Sequence, residues 1–448
     1  MSNKRITVGI DLALRSKHKA VFKIPGQEKH HQLRAFGSNA GELSAMVEEV
    51  TKRSGGEQAM EFIMEPTSHA WFPVAQWLVA RGYPVYLVRP EKVADLRRYY
   101  NKHTKTDPID ASTLVQIGQF DRENLFPARL RTPEQRACFR LCKQRARHTA
   151  RVGSLKTSIR ATAEAVVPGL SSVVTGLFNQ MGRKLLRQHM HPHRTAKLGL
   201  KRFSRMCIKA HRGSIAQQDL EKMYQTFVEA SRLYAETKED LNLDFDVLQL
   251  EIASDLQQLE FLERQAQQLE PKIAELYKKV DPRKVLTSIQ GIGPVIGAAL
   301  TSRIGNINDF KNIGALRSHC GLVPRKKASS VTDKKGLRIT KAANRHIKQY
   351  LYLAAETARQ WDPQFAQHYV RLVYEKNKHH KKAIVALANK LSGRIYAVLK
   401  RAAQNPTSDD VLYQLRDLQG RPITKERARE LALDILRKGK EERSTEAA

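Results

Sequence analysis

The opening stretch of the chain alternates short β-rich runs with amphipathic segments. Ile6–Leu12 is a brief apolar run. Lys19–Ile24 and His31–Phe36 read as two more strands, parted by the turn Pro25-Gly26. Glu42–Val50 has helical spacing, and Phe62–Met64 returns to strand. Trp71–Ala80 reads as an amphipathic helix closed by Gly82, and Val85–Val88 is a further strand. Three strands followed by helix, strand, helix and strand predict a mixed sheet covered by helices.

Beyond this region the spacing turns helical. Thr132-Pro133-Glu134-Gln135 has the makings of a capping box with proline in the first turn, so a long helix is expected from there. Its Arg140, Lys143, Arg145, Arg147, Arg151 and Lys156 suit either a solvated face or a phosphate-contacting one. Val166–Gly213 shows little periodicity. His189, His191 and His193 flank Pro192 there, which reads as a proline-broken basic surface segment rather than a metal site. From Phe245 through Ile252, Leu259, Ala266, Ile273 and Val280 an apolar seam recurs in threes and fours, the pattern of a coiled coil. It favours self-association over an intramolecular hairpin, and Pro271 is expected to kink or break it. The chain from Val285 is helical, basic and punctuated by glycine, and the residues after Gln404-Asn405-Pro406 look like a charged appendage.

The fold class is α/β followed by α, in five parts: residues 1–130, 131–214, 215–280, 281–403 and 404–448. The 448 residues are 41% hydrophobic, which excludes disorder throughout. Seventy-eight Lys and Arg against 45 Asp and Glu give a formal charge of +33, a field that attracts polyanions, nucleic acid first among them. No apolar run is long enough to span a bilayer, and no basic amphipathic anchor is visible, so a membrane partner is not expected. Cys138, Cys142, Cys207 and Cys320 have the spacing of neither a zinc knuckle nor a disulfide framework, which fits a reducing cytoplasm.

Four acids stand out against the basic background. Asp11 closes the first strand in Val8-Gly9-Ile10-Asp11, and Glu65 ends another in Phe62-Ile63-Met64-Glu65. Asp107 and Asp110, in Lys105-Thr106-Asp107-Pro108-Ile109-Asp110-Ala111, share one face of a helix start. Singly, each reads as a cap or a surface ion pair. Together they repel one another unless a cation intervenes, and an all-oxygen site suits Mg²⁺ or Mn²⁺ in phosphoryl transfer. Asp95 and Glu61 are nearby acids that strand position and helical phase place less well.

In the second half, Gly291-Ile292-Gly293-Pro294 leads into an apolar helix and resembles a helix-hairpin-helix turn. Further on, Ser329 and Ser330 follow Arg325-Lys326-Lys327-Ala328 in a basic loop. Nearby cations there would favour a serine alkoxide attacking a phosphodiester.

These strings carry a resemblance. Val8–Asp11, Met64–Thr67 and Lys-Thr-Asp-Pro-Ile-Asp-Ala resemble the RuvC-like, RNase H-type catalytic domain of the DEDD transposases of insertion sequences, the IS one-ten type. Gly321-Leu322-Val323-Pro324-Arg325 and Lys341-Ala342-Ala343-Asn344 are similar to the same family's serine-bearing C-terminal domain. Ser68 and Ala343 stand where the family usually has glycine. The resemblance implies a recombinase in which Asp11, Glu65, Asp107 and Asp110 hold Mg²⁺ or Mn²⁺. Ser329, with Ser330 as rival, forms a transient phosphoserine bond to DNA. It further implies double-stranded donor and target DNA, a structured element-encoded guide RNA (bridge RNA or seekRNA), a homo-oligomer (dimer or tetramer), and action in a bacterial cytoplasm at the nucleoid. Two other classes stay open: a Holliday-junction-resolvase type of nuclease using the same acids with water as nucleophile, and a non-enzymatic nucleic-acid scaffold.

Overall fold

Strand β1 (Ile6–Asp11) is buried along its length up to the half-buried Asp11, as its apolar run requires. It forms the middle of a six-stranded sheet ordered β3-β2-β1-β4-β5-β6, where β2 is Lys19–Lys23, β3 His31–Gln32, β4 Met60–Met64, β5 Val85–Leu87 and β6 Phe126–Pro127. β1, β4 and β5 are mutually parallel, whereas β2, β3 and β6 are antiparallel to their neighbours. The computed structural model describes residues 5–56, 59–66, 69–100, 107–120, 122, 125–128, 130–211, 214–236, 243–324, 328–329, 332–333, 339 and 345–446. They divide into two units, residues 1–131 and 132–448.

In the first unit the period-2 alternation of the strands sorts side chains onto two faces. Ile6, Val8, Ile10, Phe62 and Met64 face helices α1 (Ala40–Arg53) and α2 (Trp71–Ala80), packing with Leu43, Met46, Val50, Val74 and Leu78. On the opposite face Val21 and Ile63 meet Ala111, Leu114 and Val115 of α4 (Asp107–Phe120), which follows α3 (Pro90–Tyr100). The expected third strand is shorter than its pattern. The ladder is interrupted after Leu33, whose amide still bonds to Ala20, and resumes at the bridge of Phe36 with His18; Leu33 and Phe36 are both buried. β6, with proline in a two-residue edge strand, gives no sequence signal.

The second unit is built on two long helices, α5 (Pro133–Val166) and α11 (Phe245–Val280). The capping box at Thr132 and Gln135 is formed as expected. The two helices run antiparallel, cross-linked by Arg145–Glu270 and Lys156–Glu263 at 2.6 and 2.9 Å. The apolar seam of α11 is therefore covered from within the chain. Ile252, Leu256 and Leu259 are buried against α5 and its neighbours, and Ile273 and Leu276 enter a second core. Self-association is not what this seam serves; the same heptad spacing fits an intramolecular partner equally well. Nor does Pro271 break the helix. Pro271 and Gln267, the residue whose carbonyl loses its donor, are both exposed, so water can replace the missing bond.

The stretch Val166–Gly213, expected as a surface segment, folds into four short helices: α6 (Leu170–Val173), α7 (Gln180–Gln188), α8 (Pro192–Ala196) and α9 (Leu200–Ala210). Met181, Leu185, Leu186, Phe203 and Cys207 are buried with α10 (Gln217–Glu236) and the first half of α11. α7 and α9 each bury one face at helical spacing, Met181 with Leu185 and Phe203 with Cys207 and Ala210, but breaks at Pro192 and Gly199 reset the phase between them. The other core gathers α12 (Pro294–Ile304), α13 (Ile313–His319), α14 (Arg345–Ala358), α15 (Pro363–Val370) and α16 (His380–Gln404). The last residues are not an appendage. α17 (Lys425–Glu446) packs on α15 through the small buried faces of Ala428 and Ala432, and Arg429 lies 4.4 Å over the ring of Trp361. Among the described residues, no helix is long and apolar enough to cross a membrane.

Candidate active site

The parallel pairing of β1 with β4 sets Ile10 opposite Met64, so the next residues, Asp11 and Glu65, leave neighbouring strands side by side. Adjacent strands lie about 4.8 Å apart, within carboxylate reach of a shared ion. Continued alternation puts both acids on the face of Thr7, Gly9, Glu61 and Ile63, the face that α4 covers. Both are half-buried. Lys19 sits opposite Asp11 in the antiparallel ladder and belongs to the same face, which brings a cation to this sheet edge. Sequence reasoning passed over it, although Lys19-Ala20-Val21-Phe22-Lys23 alternates visibly.

The direction of α4 follows from two glycines. Gly118 rests against Thr7 and Ile63, while Ala111, Leu114 and Val115 rest against Gly9, so the helix runs antiparallel to β1. From Gly9 to Asp11 a strand advances about 6.7 Å, and four residues of helix beyond Ala111 advance about 6 Å. The first turn of α4, which carries Asp107 and Asp110, thus comes level with the ends of β1 and β4. The side chains of Asp107 and Asp110 lie outside the described residues. Among the described residues no group of three or more His, Cys, Asp and Glu could hold a metal.

The surroundings keep these elements in place. Glu61, set aside in the sequence reading, is fully buried and accepts hydrogen bonds from Thr7 Oγ1 at 3.0 Å and from two nitrogens of Arg122 at 2.9 and 2.6 Å. Its carboxylate is thereby committed to structure, and the hydrogen bond that Arg122 donates to it raises the pKa of Arg122 further. Asp95 is exposed and bonds to Arg98 at 3.4 Å. At the β1–β2 turn, His18 Nδ1 accepts from the Ala13 amide at 3.1 Å and its Nε2 meets Ser38 Oγ at 2.8 Å. Burial lowers the His18 pKa, against a smaller opposing pull from Glu42, so the ring is held neutral. The loop that follows Asp11 is tied down by that ring.

In the second unit Ser329 lies in a small antiparallel ribbon, β7 (Ala328–Ser329) with β8 (Thr332–Asp333), paired directly with Thr332. The side chain of Ser329 and all of Ser330 lie outside the described residues. The glycine turn differs from its expected role. The residues before it form hydrogen-bonded turns instead of a helix. Gly291 has φ +89° and its Cα presses on α14, where a Cβ would stand 2.2 Å from the Ala354 oxygen. Gly293 caps α12. The histidine cluster is likewise structural: His191 and His193 pack on Phe245, and His193 Nδ1 meets Ser231 Oγ at 2.8 Å. On α5, Arg145 and Lys156 are spent in ion pairs, while Arg140, Arg147 and Arg151 are exposed.

Residues 8–168 match the family model of the IS110 DEDD transposases, described as "Transposase", and residues 283–370 match that of the "Transposase IS116/IS110/IS902 family". The stretch between the two matches is covered by neither. The chain is 23% identical over 401 residues to the "Insertion element IS116 uncharacterized 44.8 kDa protein" of Streptomyces clavuligerus, covering 88% of this chain and 95% of that protein. It is 24% identical over 296 residues to the "Insertion element IS110 uncharacterized 43.6 kDa protein" of Streptomyces coelicolor, covering 66% and 64%.

Proposed function

The chain belongs to the IS116/IS110/IS902 family of transposases, and from that premise we propose that it cuts and rejoins DNA through a four-carboxylate site and a serine nucleophile. The observation that carries this reading is the Ile10↔Met64 register, which brings Asp11 beside Glu65 at the sheet edge that the first turn of α4 reaches. The donor set is all oxygen and fits Mg²⁺ or Mn²⁺. Such an ion would offset the repulsion among the carboxylates and the charge of the scissile phosphate. Asp11, Glu65, Asp107 and Asp110 would hold that ion, with Lys19 adding positive charge nearby.

Ser329 Oγ attacks phosphorus, forming a phosphoserine bond as the 3′-oxygen leaves with the serine proton. A 3′-hydroxyl of another strand then attacks the same phosphorus and returns the proton to serine. One phosphoester replaces another at each step, so no nucleotide cofactor is needed. The substrates are double-stranded donor and target DNA. A structured RNA encoded by the element guides the pairing, a reading supported by the family resemblance and by a +33 charge that serves RNA as well as DNA. The two parts act within a homo-oligomer built on surfaces other than the α11 seam.

The test is trapping of covalent protein–DNA adducts with peptide mapping. Asp11→Asn and Glu65→Gln abolish cleavage, whereas Ser329→Ala abolishes the adduct. An adduct on Ser330 moves the nucleophile by one residue. Cleavage that survives Ser329→Ala with no adduct anywhere overturns the serine mechanism in favour of water. RNase treatment of active protein removes recombination if RNA guides it.

A further inference from the structure

Between Glu164 and Asp219 the sequence has ten Lys and Arg and no carboxylate. All ten cations fall between the two family matches. Six of these cations form two sets. Arg183, Arg187 and Arg194 face α11 and pair with Glu263, Glu260 and Asp246. Lys201, Arg205 and Lys209 lie along the exposed side of α9, four residues apart, and among the described residues no carboxylate pairs with them. Such a row spans about 12 Å and holds its charges about 6 Å apart.

A groove of about 720 Å³ opens beside this row, bordered by Ile208 and by Gln217 at the start of α10. Ser204 lines it from within the row. Ser204 is 8% exposed, and its Oγ has no hydrogen-bond partner among the described residues. A buried hydroxyl left without a partner is costly, and a helical serine ordinarily relieves this by bonding back to the preceding turn. Here the hydroxyl sits between Lys201 and Arg205, one helical turn from Lys201, in the setting of a phosphate oxygen's donor.

We propose that the outward face of α9, with Lys201, Ser204, Arg205 and Lys209, grips the phosphate backbone of duplex DNA. Three features favour this occupant. The face carries only positive charge, complementary to a polyanion. No aromatic ring lines the groove, and single strands are held by stacking on such rings. An exposed α-helix enters the major groove of B-form DNA, about 12 Å wide, but not the deep narrow groove of duplex RNA. The contacts lie on phosphates, so binding here is independent of base sequence. The proposal rests on the reading of the chain as a DNA-processing enzyme and adds a DNA seat remote from both candidate catalytic motifs in sequence.

The experiment titrates full-length protein carrying Asp11→Asn, to prevent turnover, with a fluorescent duplex of arbitrary sequence over a range of salt. Removing three phosphate contacts by Lys201→Ala, Arg205→Ala and Lys209→Ala together lowers the slope of log K against log salt by about 2.7. Ser204→Ala weakens binding several-fold and leaves the slope unchanged. All four positions tolerate alanine on a helix, and unaltered melting excludes misfolding. A triple variant that binds DNA with an undiminished slope overturns the groove while leaving the enzyme reading intact. A parent protein that binds no DNA overturns the enzyme reading itself. A loss seen with duplex RNA and not with duplex DNA rejects DNA as the occupant.

Discussion

Replacing Gly9 by alanine should force α4 away from the sheet. A Cβ on Gly9 would lie 2.3 Å from the carbonyl oxygen of Ala111 and 3.0 Å from both Leu114 Cβ and Val115 Cγ2. Carbon and oxygen ordinarily approach to about 3.3 Å, so strand and helix must part by about 1 Å. All three obstacles belong to one helix, and the nearest is backbone, so no rotamer change relieves the clash. Overpacking of this size costs ~1–3 kcal/mol and leaves the unit folded. The displacement carries the first turn of α4, with Asp107 and Asp110, away from Asp11 and Glu65. A misplacement of ~1 Å in a reacting constellation costs on the order of 10²-fold in rate. The assay is strand cleavage and joining on donor and target duplexes at fixed Mg²⁺, with melting followed in parallel. Gly118→Ala is the control. Its Cβ would meet Ile63 Cδ1 at 2.3 Å and Thr7 Cγ2 at 2.9 Å, and the ends of side chains can give way. It should lower stability comparably with a far smaller rate loss. A Gly9→Ala protein that cleaves and joins at the parental rate would refute the link between the seat of α4 and catalysis.

Two further outcomes follow from buried polar groups. Asp362 is 1% exposed; its Oδ1 caps α15 through the Gln364 amide at 3.0 Å, and its Oδ2 accepts from Arg394 and from Tyr413 at 2.8 Å. Asp362→Asn strands the Arg394 charge and should destabilise the second unit by about 3–5 kcal/mol in urea unfolding; a change under about 1 kcal/mol would show the pair to be dispensable. For His18, the folded ring has its pKa lowered by burial, so the folded state binds fewer protons than the unfolded chain in the window below 6.5. Its contribution is complete above the unfolded value and is lost as pH falls through that window toward the folded value. The melting difference between parent and His18→Gln should therefore shrink from about pH 7.5 to about pH 5.5; a constant difference would mean that the ring does not titrate there.

Much of the first unit was legible because a half-buried sheet writes its period into the chain. The ends of β1 and β4 within a residue of Asp11 and Glu65, and a helix carrying Asp107, followed from local pattern alone, as did the Thr132 capping box. What escaped was decided by tertiary partners. The α11 seam specifies a helical neighbour but not whose, and α5 supplies it from the same chain. Pro271 was read by propensity, whereas exposure on the solvent side removes most of its penalty. The helices between residues 170 and 210 bury Leu185 and Phe203 at helical spacing, but Pro192 and Gly199 divide the stretch so that no one phase runs through it. α17 looks like a solvated appendage because charge dominates its composition, yet Ala428, Ala432 and Gly439 give it a small buried face. Lys19 went unremarked because a lone lysine on a strand gains meaning only when the ladder sets it opposite Asp11.

The antiparallel α5 and α11 pair runs through both cores of the second unit, and Pro271 introduces no hinge into it. A shaft of that kind works as a gauge. It keeps the core around Leu185 and Phe203 and the core around Ile289 and Leu300 at one constant spacing, set by helix geometry. Lengthening one helix alone by a single residue would rotate everything beyond it by about 100°, pulling Lys156 out of step with Glu263. Insertions in this shaft should therefore be tolerated only in both helices together and in whole turns.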